Sequence, residues 1–124
     1  MRKYVLGLLI GLSAGLPLAP AQEATERYIP IGQSPGLSGS HTVIGEVQGG
    51  DYKAGRIAVA ADGRIYSVAV TERTRIWIDR SALKLPALTG KIEDCARGAK
   101  VEVSYEDDQK QGAADWIKVQ ATAP

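Results

Sequence analysis

The Asp62-Gly63 pair, set between two apolar runs in the stretch Gly55 to Ile78, constrains this chain more than any other feature. An Asp-Gly pair tolerates positive φ at both central positions of a tight turn, so the spacing predicts a β-hairpin. Ile76 and Ile78 then alternate with Arg75, Trp77 and Asp79 after the short polar turn Thr71-Glu72-Arg73-Thr74, which predicts a third half-buried strand. A lone hairpin is marginal in water, so these strands require others to cover their apolar face.

Those others are legible on either side. Thr42 to Val47 reads as a first strand, and Gly45 in its middle predicts a bend, a bulge or a close backbone approach. Gly49-Gly50-Asp51 is a turn. In the strand after Asp62-Gly63, Tyr66, Val68 and Val70 share one face and Ile65, Ser67 and Ala69 the other; both faces are fairly apolar, which predicts the centre of the sheet. Lys100 to Tyr105 alternates with Val101, Val103 and Tyr105 inward, and Asp115 to Ala121 closes the domain with Ile117, Val119 and Ala121 inward. Between them Glu106 to Gly112 forms a polar tip. Asp79 to Lys100 is irregular, with single helical turns expected near Ser81 to Leu85 and Lys91 to Ala96, and with Leu83, Leu85, Leu88 and Ile92 expected to plug one end of a barrel. The fold class expected is all-β: a small antiparallel barrel of five to six strands over residues 42–121, closed so that no edge is exposed.

The N-terminus predicts an address. Arg2 and Lys3 precede an apolar run, Val5 to Leu18, and Ala19-Pro20-Ala21 supplies small residues for a peptidase, so residues 1–21 read as a cleaved secretory signal peptide and the chain as a periplasmic or secreted bacterial protein. The apolar run is shorter than the roughly 20 residues a spanning helix needs, so no stable membrane span is expected after cleavage. Residues 22–41, rich in Pro, Gly, Ser and Gln, read as a flexible linker or arm on which Tyr28, Ile29 and Ile31 can still dock. Losing residues 1–21 removes Arg2 and Lys3 and no acidic residue, leaving thirteen basic and fourteen acidic groups, a formal charge of −1. That balance argues against a dedicated nucleic-acid or anionic-membrane binder.

Gly45-Glu46-Val47, Asp62-Gly63, Thr74-Arg75-Ile76 and the Gly98 to Val103 stretch, in that order, resemble the elements of small secreted bacterial β-barrel domains of unknown function. The resemblance covers residues 42–121 and implies an OB-like barrel with no assigned activity. The size and architecture are also similar to those of periplasmic copper chaperones, which hold Cu(I) with a His, two Met and a nearby Trp. His41 and Trp77 have counterparts in that set, but no methionine follows Met1, so the soft ligands are missing and no metal site is expected.

The sequence assembles no catalytic set and implies no cofactor. His41 is the only histidine and stands at the start of the domain. Glu106, Asp107 and Asp108 cluster without the ligand spacing of an EF-hand loop and read as a solvated tip. Cys95, the single cysteine, is either a buried inert thiol, a link between two chains or a reactive group. Arg75, Trp77 and Arg80 form a basic and aromatic strand face, the composition of a recognition patch, unless Trp77 packs against Trp116 or the long loop. The expected function is therefore a non-enzymatic module binding a protein or an envelope polymer through Arg75, Trp77 and Arg80. The alternative is a thiol-dependent redox or metal-handling protein centred on Cys95.

Overall fold

The computed structural model describes residues 25–123; residues 1–21, read above as a signal peptide, lie outside them. Seven strands form one sheet: β1 (Thr42–Asp51), β2 (Arg56–Ala61), β3 (Arg64–Ala69), β4 (Arg75–Asp79), β5 (Leu88–Thr89), β6 (Lys100–Tyr105) and β7 (Ala114–Gln120), in the order β3-β2-β1-β6-β7-β4-β5. The all-β class holds. No helix among the described residues is long and apolar enough to cross a membrane.

The hairpin forms where Asp62-Gly63 places it, with φ of 52° and 74° at the two turn residues and Ala61 paired with Arg64. β1 is the longest strand and serves two neighbours. Thr42 to Glu46 pair with β6, whereas Glu46 to Asp51 pair with β2. A bulge between Val47 and Gly49 bends β1 within the stretch paired to β2. One face of the sheet holds the core, which includes Val43, Val47, Ile57, Val59, Val68, Ile76, Val101, Val103, Ile117 and Val119.

Several expectations are corrected. The sheet is mixed, because β4 runs parallel to β7 with Ile76 opposite Ile117. It is also not closed: β3 meets the chain before β7 only through the isolated bridge Ala69–Ala113, the Ala69 amide donating to the Gly112 carbonyl at 2.9 Å. The strand β3 lies at one edge rather than at the centre. Its second face is uncovered, leaving Ile65 63% exposed, so an apolar residue on both faces of a strand did not here signal burial on both. The Asp79 to Lys100 connection does not plug an end with all four apolar residues. Of them Ile92 packs against the core, while Leu85 and Leu88 are exposed and Leu88 belongs to the two-residue edge strand β5.

The arm expected to be flexible is docked. Residues 25–41 fold into successive turns, and Ile31 is buried with its amide bonded to Asp79 of β4. The physical reason is a set of polar anchors described next.

Candidate functional site

Alternation along β6, β7 and β4 sends Glu102, Trp116, Lys118, Trp77 and Asp79 to the face opposite the core. Glu102 lies directly across from Lys118, and Lys118 across from Trp77. This outer face would ordinarily be wet. Instead Glu102 is 0% and Lys118 1% exposed, because residues 25–41 lie over it.

Burial of three charged groups is costly unless each is hydrogen-bonded. The Glu102 carboxylate accepts from the Gly32 amide at 2.9 Å, the Ser38 hydroxyl at 2.7 Å and the Thr42 hydroxyl at 2.8 Å. The Lys118 ammonium donates to Glu26 Oε2 at 2.7 Å and to Ser34 Oγ at 3.2 Å, and it stands 4.7 Å from the centroid of the Trp116 ring. Ser34 in turn donates its hydroxyl to Glu26. Asp79 accepts from the Ile31 amide at 2.9 Å and from the Ser81 amide at 2.8 Å.

Burial alone would raise the Asp79 carboxyl, but hydrogen bonds from Ser81 and Ile31 and the charge of Lys118 outweigh it, and its pKa falls below its ordinary value of 3.8. A depressed folded-state pKa contributes stability that is present above the unfolded value and lost as pH falls through the folded one. Asp79→Asn is therefore expected to unfold at lower urea than the wild type at neutral pH, with the gap closing as the pH is taken below 3.8. A gap that is constant with pH would contradict this.

The predicted site residues separate. Trp77 lies on the outer face, as alternation requires, but it is 5% exposed and packs against Trp116 with ring centroids 5.8 Å apart. Arg75 is exposed. Arg80 donates its Nε to the Pro86 carbonyl at 2.7 Å, which fixes the loop carrying Leu85. The three residues thus form no continuous open patch: the aromatic member is structural and the two arginines flank it.

Cys95 is fully buried in the core, and burial, with a smaller contribution from the charge of Asp94, pushes its thiol up to about 12. His41 is exposed at the head of β1, so the two are not brought together. At pH 8 a thiol at about 12 is roughly a thousandfold less ionised than one at 9, so Cys95 is expected to react with a thiol reagent only after unfolding. Rapid labelling of the native protein would contradict the burial. The same shift makes the fold sensitive to alkali: its contribution is complete below pH 9 and lost as pH rises toward 12. Tyr105, raised by burial and by neighbouring Tyr66 to about 12, acts in the same direction.

Sequence reasoning passed over Glu102, Lys118 and the serines of the arm. One signal was present: opposite charges at outward positions of adjacent strands, with Trp116 beside Lys118, on a face that a solvated sheet would give to unrelated polar residues. Among the described residues no three His, Cys, Asp or Glu side chains gather in an arrangement that could hold a metal ion. Comparison of the chain with protein-family profiles, curated proteins and solved structures finds no match, and its functional reading rests on the residues above.

Proposed function

We propose that this chain is a non-enzymatic module of the bacterial cell envelope, periplasmic or secreted after loss of its leader, whose OB-like curl presents a binding margin to a protein or envelope polymer. The observation that carries this reading is the β4–β5 margin. There exposed Arg75 shares one edge of the sheet with exposed Leu85 and Leu88, at 38% and 44% of full exposure, on a loop held by Arg80. A pinned loop that displays large apolar side chains on a sheet edge that also carries a cation has the composition of a recognition surface, with little ordering entropy left to lose on binding. Trp77 supports this margin from beneath rather than touching the partner.

The test is capture of envelope proteins and of purified cell-wall polymer by immobilised wild type and by the Arg75→Ala/Leu88→Ser variant, both verified as folded by near-UV circular dichroism. The variant is expected to recover at least about tenfold less of a specific partner, the equivalent of about 1.4 kcal/mol. Equal recovery would remove this margin from consideration. Trp77→Ala is unsuited as a contact probe, since removing a buried aromatic costs about 3–5 kcal/mol of stability.

A further inference from the structure

Most of the polar contacts to the buried charges of the outer face come from one segment. Of the donors and acceptors that meet Glu102, Lys118 and Asp79, only Thr42 and Ser81 belong to β1 or to the residues just after β4. Glu26, Ile31, Gly32, Ser34 and Ser38 supply the rest. A cover needed only for stability is served as well by apolar packing, which avoids the desolvation of three charges. This face does something more specific. Two of its carboxylates take main-chain amides of successive residues in one turn, Ile31 and Gly32, and its ammonium takes a carboxylate and a hydroxyl from the same segment. Main-chain hydrogen bonds combined with side-chain pockets are the means by which proteins read peptides.

We propose that the outer face of β1-β6-β7-β4 is a peptide-recognition groove, occupied in cis by residues 26–38 and able to take the same segment of a second copy when its own is displaced. The second copy is the occupant because its segment is, by identity, one that satisfies Glu102, Lys118 and Asp79 together. A tether through the exposed residues 39–41 holds the arm at an effective concentration on the order of millimolar, so exchange between copies requires a weakened arm. The groove lies across the sheet face, not along the β4–β5 margin, and the outcome of the envelope capture does not bear on it.

The experiment uses the full chain with Glu26→Ala and Ser34→Ala, which leaves the groove intact and removes the side chains that meet Lys118. A fluorescent synthetic peptide of residues 25–41 restores them in trans. Its anisotropy is expected to rise saturably with the variant, at least about 100-fold more tightly than with the wild type, whose groove is filled. The same peptide with Glu26→Gln is expected to lose most of that binding. Absence of saturable binding to the variant, or equal binding of both peptides, overturns the proposal. A second measurement does not depend on the variant folding: in the wild type, the Ile31 and Gly32 amides must exchange with deuterium faster than the β6–β7 ladder, because the arm opens separately. If they exchange only at the rate of the ladder, the groove never opens without unfolding and the proposal fails.

Discussion

Glu102→Leu is expected to destabilise the protein by about 2–4 kcal/mol, the cost of taking the acceptor away from the three donors around a buried carboxylate. The side chain fits the space, and leucine does not introduce a new polar group. The loss arises in what remains. The Gly32 amide, the Ser38 hydroxyl and the Thr42 hydroxyl each lose their acceptor, at about 1–3 kcal/mol for the buried Thr42 donor and less for Gly32 and Ser38, which solvent can reach. For a domain of this size 1 kcal/mol moves the melting temperature by about 4–8 °C, so a fall of roughly 8 °C or more is expected by calorimetry. Glu102→Gln keeps one acceptor oxygen and is expected to lose about half as much. A melting temperature for Glu102→Leu within about 4 °C of the wild type, the equivalent of 1 kcal/mol or less, would show that the arm is not held by this carboxylate.

Gly45→Ala is expected to be still more damaging, at about 3 kcal/mol or more, or to prevent folding, because the added atom meets backbone rather than a flexible side chain. A Cβ at position 45 would lie 2.1 Å from the Ala60 carbonyl oxygen and 2.9 Å from the Ala61 Cβ. Neither neighbour can retreat without opening the β1–β2 ladder, in which Glu46 pairs with Ala60. Gly63→Ala is the informative control. That glycine has a φ of 74° but nothing within 4 Å of an added Cβ, so only backbone strain opposes the change, and a loss of about 1 kcal/mol is expected. Comparison of urea midpoints and soluble yields of the two variants checks the difference. Equal losses would mean that conformation, not contact, explains both glycines.

Local chemistry made much of the fold readable. The hairpin was legible because positive φ at two successive positions is a property of the Asp62-Gly63 dipeptide itself. The inward residues of β6 and β7 were legible because alternation depends only on neighbours along one strand. Gly45 was read as a bend, a bulge or a close approach; contact with Ala60 now distinguishes among these, with the bulge lying three residues further on, at Gln48. Trp77 and Trp116 could be named as a possible pair, but whether they met or faced outward depended on what covered them. Glu102 and Lys118 looked like solvated outward positions, because no feature of their own strands announces an arm that arrives from more than 60 residues away.

From its own residues, then, the chain determines an all-β domain, its Asp62-Gly63 hairpin and which side chains of β6 and β7 face the core, since each follows from backbone preference or period-two alternation within a few residues. Only the tertiary structure decided that β4 joins β7 in parallel, that β3 becomes an edge, and that residues 25–41 cover a charged face. Those outcomes depend on pairing free energies summed between segments far apart in sequence, where a carboxylate such as Glu102 becomes a structural anchor only once its three donors are delivered to it.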